Sequence, residues 1–331
     1  MHTLTSVISN PMKLIINIPA FNEAEKIGET IRRIPRSFED VDEVVIHVVD
    51  DGSSDRTAEI AREAGANRVI VHTRNRGLGR AFRTSVEAAL EEDADIMVNI
   101  DADGQFNPHD IGTLLVPVLS GAADIVSADR FGEHAAKNIP LVKDQLNRLA
   151  ARLISGFLKT PIQDLTCGFR AYSRESLLRL NLLENFTYTQ EVIIDAIGKG
   201  LKIMWIPITV TYFAERKSKM TKSIVNYIRQ SSRIIVKAVR DVRPMKFFGI
   251  PGFTLIGIGL VLFLIFFGFY IQDFKISPYR NYLFFSALFF IVGLQFVVFA
   301  LLADMVKSNR RLIEEQLYLT KKRLYTKKQG D

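Results

Sequence analysis

A single cysteine, Cys167, among 331 residues excludes an internal disulfide and fits a reducing compartment. The five histidines, at 2, 47, 72, 109 and 134, lack metal-ligand spacing, which argues against a structural zinc site. No glycines follow a G-x-G-x-x-G pattern, so a dinucleotide-binding site has no support. Residues 1–11 carry no basic region, and Leu14-Ile15-Ile16-Asn17-Ile18 is too short for the apolar core of a secretory signal. Residues 1–11 therefore read as a short leader. Positive charge is also missing from most of the chain: the net charge is +7, yet residues 1–214 sum to −6. The excess sits in residues 215–246, at +8, and 305–331, at +5. So confined a basicity argues against a nucleic-acid-binding face on the main domain.

The two basic segments flank two uncharged apolar runs, 247–271 and 281–303. Twenty-five helical residues span roughly 37 Å, enough for a hydrocarbon layer of about 30 Å. Nine residues, 272–280 with Pro278, join them, and a transmembrane hairpin over 247–304 is predicted. The outer flanks, Arg240, Arg243 and Lys246 and then Lys307, Arg310 and Arg311, outnumber Lys275 and Arg280 between the spans. Positive-inside bias puts the main domain and both termini in the cytoplasm, making this an integral membrane protein. Residues 215–246 include a basic amphipathic stretch, with Arg229, Arg233, Lys237 and Arg240 on one face. It is expected to lie at the headgroups, the alternative being a solvated helix packed on the domain. The tail, 305–331, reads as a basic, partly helical cytoplasmic segment, and together with the hairpin it invites homo-oligomerisation.

Residues 13–127 alternate strand-like and helix-like segments, the mark of a parallel α/β sheet, within a domain expected over 12–214. Strands are expected at 13–18, 44–49, 68–71, 96–100, 124–127, 169–172 and within 201–211. Helices are expected at 56–64, 79–91, 108–119, 141–158 and 189–197, and from an Asn22–Glu25 capping box to about Arg33. Residues 130–140 read as a loop.

Four polar clusters then fall beyond the carboxyl ends of the first four strands. They are Pro19-Ala20-Phe21-Asn22-Glu23, Asp50-Asp51-Gly52-Ser53-Ser54-Asp55, Asn75-Arg76-Gly77-Leu78-Gly79-Arg80 and Asp101-Ala102-Asp103-Gly104-Gln105. Singly, each is compatible with an ordinary turn. Together they line one edge of a parallel sheet, where α/β folds bind nucleotides. The carboxylates of Asp101 and Asp103 and the amide oxygen of Gln105 are hard donors suited to Mg²⁺ or Mn²⁺. A metal there would stabilise a nucleotide diphosphate as leaving group.

The ordered set, with Asp164-Leu165-Thr166-Cys167-Gly168-Phe169-Arg170-Ala171, resembles glycosyltransferase family 2 and its GT-A fold, most closely the dolichol-phosphate mannose synthase-like polyprenyl-phosphate glycosyltransferases. The resemblance covers roughly residues 12–224, and a membrane hairpin is common among relatives. It implies a nucleotide-base contact at Asp51, a nucleoside pocket lined by Pro19, Phe21 and Glu23, and a metal group of Asp101, Asp103 and Gln105. Independently of it, Gly77 and Gly79 let backbone approach a ligand closely. An acceptor phosphate at the membrane needs cations. Arg130 matches the family's arginine, while Lys143 and Asn147 stand where relatives often have arginine and a small polar residue. Arg216-Lys217-Ser218-Lys219 is one residue shorter than the family's Arg-Gly-Glu-Ser-Lys, with Arg216 its functional member. Cys167 replaces a usual serine and should pack as a small hydrophobe; Glu191 could point into the site or cap its helix.

The implied reaction is inverting, metal-dependent transfer of a hexose, glucose or mannose, from a UDP- or GDP-linked sugar to dolichyl or undecaprenyl phosphate at the cytoplasmic face. An ionised phosphate acceptor needs no strong general base. Two alternatives are a processive polysaccharide synthase of the same clan and a catalytically silent membrane scaffold. The first uses a Gln-x-x-Arg-Trp motif, which the sole tryptophan, Trp205, does not provide. The intact Asp/Asp/Gln set speaks against the second.

Overall fold

The computed structural model describes residues 11–131, 159–182, 188–210 and 243–326, with scattered positions among 152–157 and 232–242. Lys143, Asn147, Arg216, the expected helix 141–158 for the most part, and most of the amphipathic stretch lie outside the described residues.

Apolar side chains at nearly every position make β1 (Lys13–Ala20) and β2 (Glu43–Asp50) strands buried on both faces. With β3 (Arg68–Val71), β4 (Ile96–Asn99), β5 (Ile125–Asp129), β6 (Arg170–Ser173) and β7 (Ile203–Pro207) they form one sheet in the order β3-β2-β1-β4-β6-β5-β7. Neighbours pair in parallel except around β6, which runs antiparallel to both β4 and β5. The sheet is thus mostly parallel.

Helices α1 (Ile27–Arg33), α2 (Thr57–Glu63) and α4 (Ile111–Leu119) cover one face, where Leu14, Ile16 and Ile18 of β1 meet Ile27, Ile31, Ala61 and Leu114. The other face carries α3 (Leu78–Glu91), α5 (Arg174–Arg179) and α6 (Thr189–Gly198), with Phe82, Val86, Leu177 and Val192 packed on Ile15 and Met97. Alternation along β1 sends successive side chains to opposite layers. Each fully buried Ile, Leu or Phe contributes roughly 1.5–3 kcal/mol. From β1 the chain winds outward through β2 to β3, then returns to place β4 on the other side of β1. The strand order therefore switches between β1 and β4, and the carboxyl ends at such a switch point are where open α/β sheets bind their ligands.

Two local expectations change. Asn22 does not cap a helix: it adopts a left-handed φ of 53°, its side chain takes the amide of Ser54 at 2.8 Å, and α1 begins only at Ile27. Pro108 opens a 3-10 turn, Pro108–Asp110, before α4, and Asn107 caps it by accepting from the His109 amide at 3.4 Å.

Described residues up to 235, together with those from Leu317 onward, form one compact unit, and Val236–Gln316 form a second. Two long apolar helices build the second. Helix α7 (Pro244–Asp273) holds 30 residues, and α8 (Arg280–Leu324) holds 45 and begins in the second unit, so the expected second span runs unbroken into the tail. Both are long and apolar enough to cross a membrane, and few of their residues are buried. They meet through glycines: a Cβ on Gly293 would lie 2.8 Å from the Gly252 carbonyl oxygen, and one on Gly259 would lie 3.0 Å from that of Ser286. Small residues of this kind let membrane helices approach closely.

The end of α8 packs within the first unit. Tyr318 is buried in the layer of α3 and α5, donates to Glu175 at 3.1 Å and lies under the Arg179 guanidinium at 4.1 Å. Lys321 donates to the Leu180 carbonyl at 2.9 Å and to Asn181 at 3.0 Å, and Arg174 reaches the Tyr325 carbonyl.

Candidate active site

The Asp101 loop occupies the β1/β4 switch point. Strand β4 ends at Asn99, and the Ile100 amide still bonds the Asn17 carbonyl of β1 at 3.0 Å. Beyond it the chain turns through Gly104, at φ 72°, with the Gln105 amide closing on Asp103 Oδ1 at 3.1 Å. Thr30 of α1 donates to the Ala102 carbonyl at 3.2 Å, and Phe106 packs against Phe169. Asp101 and Asp103 are thereby held together on a braced turn.

That arrangement is short of positive charge. The Asp101 carboxyl is pushed up to about 7, first by burial among protein atoms although part of its surface is open, and then by the neighbouring charge of Asp103. Glu23 pushes the same way, while Arg130 and Arg170 oppose it incompletely. A bound cation would relieve this crowding. Among the described residues no three His, Cys, Asp or Glu side chains gather into a complete cage. The donors present, two carboxylates and the Gln105 amide, form an open hard-ligand set of the kind that Mg²⁺ or Mn²⁺ completes with phosphate oxygens and water. The residues fit such an ion.

The loops after β1 and β2 are laced together. Asp50 accepts from the Ser53 amide at 2.9 Å, Ser53 Oγ accepts from the Asn22 amide at 2.8 Å, and Thr57 Oγ1 accepts from the Glu23 amide at 2.8 Å. Pro19 is buried at the end of β1, Phe21 is exposed beside it, and Glu23 is partly exposed. Gly52 is obligatory, because its φ is 74° and a Cβ would lie 2.4 Å from the carbonyl carbon of Arg74.

Asp51 is buried, and its carboxylate organises the next loop. Oδ1 lies 2.7 Å from His72 Nδ1 and accepts from the Arg76 amide at 3.0 Å, while Oδ2 accepts from the Gly77 amide at 2.8 Å. His72 Nε2 in turn sits 3.0 Å from Thr84 Oγ1 of α3. The expected base contact is therefore also the anchor of residues 72–77. Gly79 is buried in the first turn of α3.

A third wall comes from residues 164–170. Arg130, at the end of β5, makes a two-pronged ion pair with Asp164, Nε to Oδ2 at 2.6 Å and Nη2 to Oδ1 at 2.9 Å, and donates to Thr166 at 2.6 Å. Burial pushes the Asp164 carboxyl up, but Arg130, the Thr166 amide and Arg170 outweigh it and hold the group below its ordinary value. Fully buried Arg170 ties down the Thr189 carbonyl at 2.8 Å, the Leu165 carbonyl at 3.3 Å and Ser127 at 3.2 Å. Trp205 donates to the Asp164 carbonyl at 3.3 Å. Cys167 packs in the apolar core, and burial pushes its thiol up to about 12. Glu191 lies in the first turn of α6.

The structure thus brings Pro19, at the end of β1, and Phe21, Glu23, Asp51, Asp101, Asp103, Gln105 and Arg130, just beyond strand ends, to the carboxyl edge of the sheet. An acceptor phosphate at Arg130 would have to share that guanidinium with Asp164. Not anticipated were His72, Asn17, Asn99 and Tyr188. Asn17 and Asn99 did leave a signal, since each interrupts an apolar strand, and they are register partners across β1 and β4.

Residues 15–180, half the chain, match the profile of the family described as Glycosyl transferase family 2. The glycosyltransferase AglJ of Haloferax volcanii is 29% identical over 311 residues, covering 91% of this chain and 96% of that protein. The polyprenol monophosphomannose synthase of Mycolicibacterium smegmatis is 29% identical over 228 residues, 66% of this chain and 84% of its own length. Among solved structures, glucosyl-3-phosphoglycerate synthase from Mycobacterium tuberculosis, crystallised with Mn²⁺ and UDP-glucose, shares the fold. Its TM-score is 0.55 at 24% identity, over 69% of this chain and 79% of that one.

Proposed function

Because this chain belongs to glycosyl transferase family 2 and is a glycosyltransferase, we propose that it moves a hexose, glucose or mannose, from a nucleotide diphosphate sugar to a polyprenyl phosphate, with inversion at the anomeric carbon. The observation that carries this reading is the placement of Asp101, Asp103 and Gln105 on one braced turn at the β1/β4 switch point, next to the loops that follow β1 and β2. Two long apolar helices and the polyprenol-linked name of a relative support a lipid acceptor.

Asp101, Asp103 and Gln105 would hold Mg²⁺ or Mn²⁺, which supplies neutralisation of the departing diphosphate. Pro19, Phe21, Glu23 and Asp51 frame the nucleoside, and the Asp51-anchored loop to Gly79 brings backbone close to the donor. A phosphate oxygen of the acceptor attacks the anomeric carbon from the face opposite the diphosphate. The new C–O bond forms as the glycosyl–diphosphate bond breaks, and nucleoside diphosphate leaves. The acceptor oxygen arrives ionised, so no side chain need remove a proton from it, and positioning does most of the work. Arg130, Lys143, Asn147 and Arg216 are assigned to the acceptor phosphate, and the catalytic domain and both termini to the cytoplasmic side, with residues 12–214 catalytic, 215–246 juxtamembrane, 247–304 membrane hairpin and 305–331 tail.

Calorimetric titration with UDP- and GDP-sugars tests the donor half. Binding of one donor should require Mn²⁺ or Mg²⁺ and weaken at least tenfold in Asp103→Asn. Donor binding indifferent to metal and to that substitution contradicts the metal assignment, and no donor binding at all would indicate a silent scaffold.

A further inference from the structure

Beneath the candidate metal loop lies a buried polar chain that the proposed reaction does not use. Asn17 of β1 donates through Nδ2 to Asn99 Oδ1 of β4 at 2.6 Å. Asn99 Nδ2 donates onward to the Tyr188 hydroxyl at 2.8 Å and to the Gly168 carbonyl at 3.1 Å. The Tyr188 hydroxyl itself donates to that carbonyl at 3.2 Å. Asn17, Asn99 and Tyr188 are fully buried, and the Tyr188 ring stacks on Phe82 at 3.8 Å with 2° between planes.

Gly168 is where this chain meets the site. A Cβ on it would lie 3.1 Å from Asp101 Oδ1, 3.3 Å from Oδ2 and 3.4 Å from the Tyr188 hydroxyl. The backbone of Gly168 therefore lies close against the Asp101 carboxylate, and a methyl group there would fit only if that carboxylate gave by a few tenths of an ångström. Two donors on one carbonyl fix that backbone, and a rigid stack fixes one of the donors. Buried polar groups that bond one another in this way specify one arrangement, and of this chain only Asn17 Oδ1, at the end remote from Gly168, has no partner among the described residues. The alternative, two apolar residues at 17 and 99, would continue the pattern of both strands.

We propose that Tyr188, with Asn99 and Asn17 behind it, is a positioning group that fixes the Asp101 carboxylate for metal binding by pinning Gly168 against it. The proposal rests on the metal role assigned to Asp101. It places Tyr188 and Asn99 outside the catalytic residues, since both are fully buried beneath the loop, and it gives the glycine of Asp164-Leu165-Thr166-Cys167-Gly168 a reason: it is the surface on which the Asp101 carboxylate rests. A geometric error of a few tenths of an ångström at a ligand is felt as affinity, because hard cations of this size tolerate little displacement.

The test compares wild type, Tyr188→Phe and Gly168→Ala as full-length protein. Mn²⁺ binding is read by electron paramagnetic resonance in the presence of UDP, and melting temperature is measured on the same samples. Tyr188→Phe keeps the ring stacked on Phe82 and removes only the hydroxyl. It should melt within a few degrees of wild type yet need roughly five- to tenfold more Mn²⁺ for half-saturation, following the loss that outer-shell changes cause in metal sites. Gly168→Ala should weaken Mn²⁺ at least as much. A lowered melting temperature with unchanged Mn²⁺ affinity in both variants would make the network merely structural and overturn the proposal. Should wild type itself bind no Mn²⁺ with UDP, the metal assignment fails first, a result distinguishable from failure of the positioning role alone.

Discussion

Arg130 and Asp164 form a buried, two-pronged ion pair. Asp164 has no exposed side-chain surface and Arg130 little. Removing one partner of such a pair strands a buried charge, which costs about 3–5 kcal/mol. Arg130→Ala should therefore lower the melting temperature sharply, and Arg130→Lys should recover only part of it, because lysine lacks the planar fork. A residue serving only the acceptor phosphate would instead leave melting untouched and raise KM for polyprenyl phosphate. Thermal melting beside acceptor kinetics separates the two roles. At this scale the sequence displayed the residues that interrupt a pattern at strand ends: Asp51, Asp101 and Asp103 were identifiable because Asp and Gly cluster where apolar runs stop. Their partners were not. His72, Thr84 and Asp51 meet only once β3 and α3 are folded, and Arg130 and Asp164 are 34 positions apart.

Whole elements were legible where hydrophobic period and length agreed. β3 falls at 68–71 and the third helix begins one residue before its expected start, because Ala81, Phe82, Ser85, Val86 and Ala89 recur at helical spacing on a buried face. The antiparallel sense of β6 had no local signature, since its direction is set by the connection that places it between β4 and β5. The Asn22–Glu25 capping pattern misled because Asn22 bonds the neighbouring β2 loop instead, a tertiary competitor invisible in four residues. The hairpin gives an element-scale expectation. Gly293→Leu would force side-chain atoms into the Gly252 carbonyl and Ile256, which stand 2.8 Å from a Cβ there. It should splay α7 from α8 and reduce the detergent-resistant stability of the protein, whereas Gly268→Leu, where a Cβ meets nothing within 4 Å, should leave it unchanged. Equal loss in both would show that close glycine packing does not hold the hairpin.

For the whole molecule, charge distribution decides orientation. The connecting segment between α7 and α8 carries Lys275, and Arg280 opens α8, while Lys307, Arg310 and Arg311 follow further along that helix. The positive-inside rule then predicts that residues 274–279 lie on the extracytoplasmic side. The native chain suits a cysteine-labelling test, because Cys167 is buried and its thiol is pushed up to about 12, leaving little thiolate to react. Ile276→Cys should react with an impermeant maleimide in intact cells, and Lys307→Cys only after permeabilisation; the reverse pattern would invert the topology. Membrane character was legible in composition, because two uncharged runs of spanning length between basic segments need no tertiary knowledge. The unbroken course of α8 was not, since charge begins at Asp304 while the helix continues through Leu324.

Sugar transfer to lipid is the central claim, and it is measured by incubating purified protein with radiolabelled UDP- and GDP-sugars, Mn²⁺ and a polyprenyl phosphate, then following label into the organic phase. Label should partition there with one donor, only with divalent metal, and fall by orders of magnitude in Asp103→Asn. Label that stays in the aqueous phase with every donor, or lipid-linked label formed equally well by Asp103→Asn or without metal, would contradict it.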